Sequence, residues 1–147
     1  MQKRTIIVIT VLVLLVGAVA LYAVAALDAD DAPPALVERE WILERYGPLD
    51  AQQAVLPESE ITLIFQSDEE TLGGNAGVNH YSASYRINGN EIEISNIIQT
   101  LIMGPVDLME QESAYLSALR TAESFRVEGN VLEIDTADGG RLVFQAR

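Results

Sequence analysis

The chain has 147 residues, of which 49% are hydrophobic, with 22 acidic side chains against nine basic ones. That length fits one domain, with or without an appendage, and the apolar fraction is typical of a globular protein. The absence of cysteine excludes disulfides and thiolate chemistry, and a single histidine excludes sites built from several histidine ligands. The formal charge of -13 excludes a generally basic nucleic-acid binder, because phosphate contacts need clustered lysine and arginine.

Residues 1–27 direct the chain to a membrane. Lys3 and Arg4 precede Thr5–Leu27, a run of 23 residues without a charge. A helix rises ~1.5 Å per residue, so this run reaches ~34 Å and can cross a ~30 Å hydrocarbon core. The two cations favour the cytoplasmic side, which predicts a single-pass anchor with an extracytoplasmic C-terminal domain.

A cleaved signal sequence is the alternative for the same segment. Ala23–Ala25 has the A-x-A pattern of a cleavage site, although the apolar run is longer than the ~7–15 residues usual in signal sequences. Cleavage predicts a secreted or periplasmic protein. Both alternatives export the domain, and the lack of cysteine excludes a lipoprotein anchor.

Residues 28–38 form an acidic, proline-containing linker before a domain at residues 39–147. Asp28–Ala35 combines three carboxylates with two prolines, and it lacks the spacing of a calcium loop, so we predict a solvated spacer. From residue 28 onward the chain has seven arginines and no lysine against 22 acids, a formal charge of -15. Such a surface favours solubility or cationic partners.

Strand periodicity dominates the first half of the domain. Trp41–Leu43 and Glu60–Phe65 are rich in strand-forming residues, and the second segment alternates apolar and polar positions. The glycines of residues 73–77 predict a mobile turn; they lack the lysine and the following helix of a phosphate-binding loop.

Two similar hairpins are predicted further along the chain. Asn88–Gly89 is a type I′ turn pattern, because both central residues of that turn need positive φ. Tyr85–Ile94 matches Phe125–Ile134 at an offset of 40 residues, with arginine, Gly-Asn and Glu-Ile at the same places. Asp138–Gly140 predicts a third tight turn.

One segment has helical spacing, from Val106 or Asp107 to about Arg120. Asp107 is placed to cap its N-terminus, directly after Pro105. The predicted fold is therefore α+β: a mostly antiparallel sheet, curved or half-barrel, with one packed α-helix and an N-terminal transmembrane helix. The helical spacing places four apolar residues and one acid on the same face: Leu108, Glu112, Tyr115, Leu116 and Leu119.

Three segments, at residues 77–85, 99–105 and 109–119, together resemble the META domain, the HslJ-like family. Gly77–Tyr85 is similar to its G-C-N-x-[YF]-x-G-x-Y signature, Gln99–Pro105 to T-T-x-M-A-C-P, and Met109–Leu119 to M-E-Q-E-x-x-[FY]-L-x-A-L. Together with the opening Trp41 the likeness spans roughly residues 39–146. It implies a small β-rich fold, often exported or lipid-anchored, without an established catalytic activity.

The departures from this family pattern include five informative positions. Val78 and Gly104 stand where the family commonly has cysteine, and Ala83 replaces a glycine. The joint loss of two cysteines fits a pair that touches across the fold, and no thiol or disulfide role transfers to this chain. Ile102 and Met103 replace the Met-Ala pair.

The resemblance implies a role and no mechanism, since relatives are linked to heat response, novobiocin resistance, virulence or secretion. We expect a non-catalytic module, membrane-tethered or secreted, that serves envelope maintenance or stress tolerance through contacts with an envelope protein partner. The alternatives are a carrier that binds a small apolar ligand in the curved sheet and, with least support, a hydrolase. No catalytic residue, metal site, cofactor or nucleic-acid contact is predicted.

Several polar residues could carry chemistry, but structural roles are favoured for them. Glu110 is predicted to be solvated at the helix start, and Glu112 to bond the backbone of a neighbouring loop. Asp68–Glu70 has neither the ligand number nor the spacing of a cation site. His80, near Ser82 and Ser84, has no partner that sequence can assign, so a structural hydrogen bond is favoured over a triad.

Other residues of the signature have backbone or packing roles. We expect positive φ at Gly77 and an Asn79 amide that satisfies neighbouring peptide groups. Large aromatic side chains are expected in the core, with a ligand pocket as the alternative. They are Trp41, Phe65, Tyr81, Tyr85 and Phe144.

Overall fold

The sheet closes into an antiparallel barrel. The computed structural model describes residues 33, 35–37, 39–66 and 69–147. Its described part contains nine strands and one helix. In chain order these are β1 (Glu40–Pro48), β2 (Gln53–Ala54), β3 (Thr62–Gln66), β4 (Thr71–Asn75), β5 (His80–Asn88), β6 (Glu91–Gln99), α1 (Val106–Arg120), β7 (Ala122–Glu128), β8 (Val131–Thr136) and β9 (Gly140–Ala146).

Closure depends on the first strand, which pairs on both sides. One edge of β1 pairs with β3, and the other pairs with β9 from Trp41↔Ala146 to Pro48↔Gly140. The two-residue strand β2 lies on β1 outside the ring of eight. The mostly antiparallel fold with one helix is as predicted, but the open half-barrel is not, because a long, bulged β1 joins the two sheet edges.

The helix spans the place where the ring is weakest. Strands β6 and β7 share one register pair, Glu91↔Ser124, so most of β6 has no partner strand on that side. Helix α1 connects these two strands and packs against β6, β1 and β9. Its residues Val106–Arg120 agree with the prediction. Asp107 does not cap it: the helix already begins at Val106, so Asp107 lies inside the first turn and bonds the Leu108 N–H.

Aromatic side chains fill the barrel, and all five that were predicted to be core residues are buried. Tyr115 of α1 extends inward and makes edge contacts with Tyr81 and Phe144, with ring centroids 5.7 and 6.4 Å apart. The hydroxyls of Tyr115 and Tyr81 lie 2.6 Å apart, and Tyr81 donates to the Thr62 carbonyl. Burial raises the pKa of both phenols.

The glycines at residues 73 and 74 lie in a strand, which corrects the predicted mobile turn. A Cβ atom on Gly73 would meet the Tyr81 carbonyl oxygen at 2.8 Å, and one on Gly74 would collide with the Thr62 backbone. These glycines therefore let β3, β4 and β5 approach closely, a use of glycine that resembles a loop in sequence.

Both predicted hairpins exist, but their turns lie one residue later than expected. Asn88 pairs with Glu91, which makes Gly89 and Asn90 the two turn residues. Gly89 has φ of +63° and Asn90 has no positive φ, so the predicted type I′ turn is wrong and the φ pattern is that of type II′. Gly129 repeats the arrangement in the second hairpin with φ of +61°.

Within the described residues, no helix is both long and apolar enough to span a membrane. The predicted span at residues 5–27 and the first part of the linker lie outside the described residues, as does Asp68.

Candidate functional site

The three segments that carry the family resemblance meet at one end of the barrel. The turn before β5 places Asn79 beside the helix, and Gly77 has φ of +119°, as predicted. The Gly77 N–H donates to the Asn75 side chain at 2.7 Å, and the Ala76 N–H donates to the Asn79 carbonyl at 2.7 Å. The turn is therefore fixed by its own hydrogen bonds.

Glu112 is a buried carboxylate whose oxygens are both used. One oxygen accepts the backbone N–H groups of Val78 and Asn79 at 3.0 and 2.6 Å, and the other accepts the Asn79 side-chain amide at 2.7 Å. The residue is 2% exposed. The predicted bond to a neighbouring loop's backbone is confirmed, and Glu110 is exposed as predicted.

Asn79 passes this connection on to the segment between β6 and α1. Its side-chain oxygen accepts the Ile102 N–H at 2.7 Å and the Thr100 hydroxyl at 2.8 Å. Its amide group also donates to the Ile102 carbonyl at 3.1 Å. Asn79 and Glu112, which we call the clamp, thus hold the backbone of this segment from inside the protein.

Gln111, next to Glu112 on the buried face of the helix, performs a similar task for residues 56–59, and sequence reasoning missed it. Its side-chain oxygen accepts the Leu56 N–H at 2.7 Å, and its amide donates to the Ser59 hydroxyl at 2.9 Å. The available signal was helical spacing, which puts position 111 on the same face as Leu108 and Tyr115. In the described part of the chain, every buried side-chain nitrogen and oxygen has a hydrogen-bond partner.

The segment that the clamp holds exposes apolar side chains. We call residues 98–106, from the last two residues of β6 to the first residue of α1, the apolar loop. Sequence reasoning matched Gln99–Pro105 to the family pattern but did not predict that its apolar side chains are exposed. Five apolar residues of the loop follow neither strand nor helix periodicity. Their exposed fractions are Leu101 88%, Met103 86%, Val106 74%, Ile98 68% and Ile102 56%.

Val78 and Gly104 close the contact between the turn and the apolar loop. A Cβ atom on Gly104 would lie 3.5 Å from the Val78 Cβ and 2.9 Å from both its methyl groups. The two positions where the family commonly has cysteine therefore face each other, as their joint loss predicted. Here a valine packs directly on a glycine backbone.

The arrangement around His80 offers no acid-base set. The exposed imidazole and Ser82 line a surface cleft of about 330 Å³ with Ile98 and Thr100, and none of the carboxylates that the structure describes lines this cleft. Ser84 lies further along β5. Among the described residues, no three histidine, aspartate or glutamate side chains come close enough together to hold a metal ion.

A second surface cleft, of about 850 Å³, lies beside the β5–β6 hairpin and the end of α1. Arg86 and Arg120 line it together with Glu91, Glu93 and Glu123. The mixed charges specify no ligand class. The interior is occupied instead by packed side chains, from Trp41 to Phe144.

The comparison with known families confirms the resemblance that the three segments carry. The sequence profile of the META domain matches residues 34–147. The chain belongs to the META domain family. No curated protein matches the sequence at a significant level.

Solved structures similar to this META domain show the same fold. An NMR structure of a protein from Burkholderia xenovorans has a TM-score of 0.68 at 22% identity, covering 83% of this chain and 93% of its own. A second NMR structure has a TM-score of 0.59 at 16% identity, covering 78% and 93%. The crystal structure of a DUF4847 family protein from Bacteroides vulgatus has a TM-score of 0.55 at 13% identity, covering 75% and 93%.

Proposed function

We propose that this META domain is a non-catalytic contact module that binds a partner through its apolar loop. It is tethered to a membrane by residues 5–27, or secreted after cleavage, and it serves envelope maintenance or stress tolerance. The observation that carries this proposal is the exposure of five apolar side chains on a segment whose backbone is held by the buried clamp.

The combination of exposure and rigidity favours recognition. Contiguous apolar patches on soluble proteins mark interaction sites more often than single exposed residues do. A segment that is ordered before it meets its partner loses less conformational entropy on binding. The backbone N–H and carbonyl of Ile102 are both hydrogen-bonded to the Asn79 side chain, so the apolar loop is held in place before a partner binds.

The rival functions have less support among the described residues. Packed aromatic side chains occupy the barrel interior, which favours surface contact over carriage of an apolar ligand. A hydrolase needs a nucleophile, a base and an orienting acid in mutual contact. The cleft at His80 supplies the first two residue types and no acid.

Site-specific photo-crosslinking in the source cells tests the proposal. A photoreactive residue replaces Leu101 in the full chain, and a matched control replaces Leu49, which is 58% exposed. Leu49 follows β1, four strands away from β6 in the ring of eight. We expect discrete crosslinked products at position 101 and none at 49; equal products, or none at either position, would contradict a contact role for the apolar loop.

A further inference from the structure

Strand directions place the apolar loop at the end of the barrel opposite to the entry of the chain. Every neighbouring pair in the ring is antiparallel, and β6 is an even number of strands from β1 in both directions, so the two strands run the same way. The chain enters the barrel at the start of β1, and the apolar loop begins in the last two residues of β6. Leu36, just before β1, is attached to the barrel, because its side chain is buried and its carbonyl accepts the Trp41 indole N–H at 2.9 Å.

These strand directions place the apolar loop at the end of the barrel that is far from a tethering membrane. Only five residues separate Leu27, the last residue of the uncharged run, from Pro33. Five extended residues reach at most ~18 Å, whereas the nine residues of β6 extend ~30 Å along the strand. A bilayer that holds residues 5–27 therefore faces the entry end of the barrel.

The charges beside the apolar loop limit its partner further. Asp107 in the first turn of α1 and Glu110 at the start of the next turn are both exposed, and Glu110 lies one helical turn from Val106 on the same face. The chain from residue 28 onward carries a formal charge of -15. A second copy would bring equal charges together at this site, and an anionic lipid surface would be repelled.

We infer that the apolar loop binds an amphipathic peptide segment whose apolar face is flanked by lysine or arginine. Leu101 and Met103 cover the apolar face, and Asp107 and Glu110 pair with the cations beside it. Methionine adapts its shape to different apolar surfaces and is common where proteins bind amphipathic helices. This inference rests on the proposed contact function and names the chemistry of its partner.

A binding assay with a defined probe tests the inference. The probe is a fluorescent 14-residue peptide of leucine and lysine with one apolar helical face, and its control is a scrambled peptide of the same composition. The protein is residues 28–147, a unit that contains the whole META match, and the similar NMR structures consist almost entirely of this barrel. A cooperative thermal transition checks that each variant is folded.

Three variants assign the binding to the apolar loop. We expect the amphipathic peptide to bind at least tenfold more tightly than the scrambled one. Leu101→Ser with Met103→Ser should weaken binding at least tenfold, and Leu49→Ser should leave it unchanged. Asp107→Asn with Glu110→Gln should weaken binding severalfold and reduce its salt dependence.

The contrary results separate the partner's chemistry from the contact function. Equal binding of the scrambled peptide, or an unchanged affinity after the loop substitutions, would overturn the inference. Sedimentation that shows a dimer lost in the loop variant would replace the cationic partner with a second copy. Binding of the loop to vesicles of zwitterionic lipid would replace it with a membrane. Crosslinks at Leu101 without binding of the probe would leave the contact function standing alone.

Discussion

The β7–β8 hairpin and the apolar loop place polar and apolar side chains in opposite ways. In the hairpin, Phe125 and Leu132 point into the barrel, while Arg126 pairs with Glu133 at the surface. At the apolar loop, the polar clamp is buried and Leu101 and Met103 are in solvent. The hairpin buries its apolar side chains, as folding favours, whereas the loop exposes apolar side chains, which folding alone does not favour.

The reversal has an energetic consequence. Full burial of a leucine or methionine side chain contributes ~1.5–3 kcal/mol, which the apolar loop does not gain while it is free. The buried hydrogen bonds of the clamp supply the order that apolar packing supplies elsewhere. Substitutions in the two kinds of region should therefore have opposite consequences for stability and binding.

Loss of the clamp carboxylate should have the largest effect. We expect Glu112→Ala to lower the free energy of unfolding by about 4 kcal/mol, because hydrogen bonds to a charged group contribute ~1.5–3 kcal/mol each and the Val78 and Asn79 N–H groups would lose their acceptor. Urea denaturation measures this loss. The matched control Glu110→Ala should change the free energy of unfolding by less than ~0.5 kcal/mol. A loss in Glu112→Ala no larger than that of the control would show that the Glu112 carboxylate does not stabilise the turn.

A disulfide should stabilise the junction between the turn and the apolar loop. Val78→Cys with Gly104→Cys places two Cβ atoms about as far apart as disulfides require, given the 3.5 Å separation. Closing a loop of about 25 residues should raise the free energy of unfolding by ~3 kcal/mol. The oxidised and reduced forms of the same variant supply the comparison. Thiols that stay reduced under oxidising conditions would refute the proximity.

Alkaline pH should destabilise the barrel through its buried phenols. Burial raises the pKa of Tyr81 and Tyr115 above the ordinary value near 10, so the folded protein keeps protons that the unfolded chain loses. The stability is fully present below about pH 10 and falls above it, by about 3 kcal/mol at pH 11 for two such groups. Urea denaturation at pH 9 and pH 11 measures it. In Tyr81→Phe with Tyr115→Phe the fall should be smaller; an equal fall would assign it to other groups.

The hairpin turn should be sensitive to a β-branched residue. Gly89→Val should cost about 1 kcal/mol, because Gly89 has φ of +63° and a Cβ atom there meets nothing within 4 Å, which leaves backbone strain as the cause. Gly89→Asn should cost less, since asparagine tolerates positive φ. A melting temperature equal to that of the wild type would show that the turn does not need glycine.

The smallest effect on stability is expected at the apolar loop itself. Leu101→Ser with Met103→Ser should change the free energy of unfolding by less than ~0.5 kcal/mol, because both side chains are already in solvent. Leu132→Ser, at a fully buried position of β8, should cost several kcal/mol by comparison. If the loop variant lost as much as the core variant, the reversal would not hold.

Local patterns predicted the elements that obey periodicity. The helix, both hairpins and the aromatic core followed from spacing, and Glu112 was predicted because an acid on an apolar helical face needs partners. The closed ring was beyond such reasoning, since nothing local states that β1 pairs with both β3 and β9. Gly73 and Gly74 misled it because close strand packing and a flexible turn use the same residue. The exposure of the apolar loop was not predicted, because the loop is held by the clamp, whose members are 33 positions apart in sequence.

Backbone order in the apolar loop tests the central claim most directly. If the clamp holds the loop ready for a partner, the ¹⁵N relaxation order parameters of residues 100–104 in the free protein should be near the ~0.85 of rigid backbone, equal to those of the neighbouring strands. Values below ~0.6 would describe a flexible loop and would contradict a preformed contact surface.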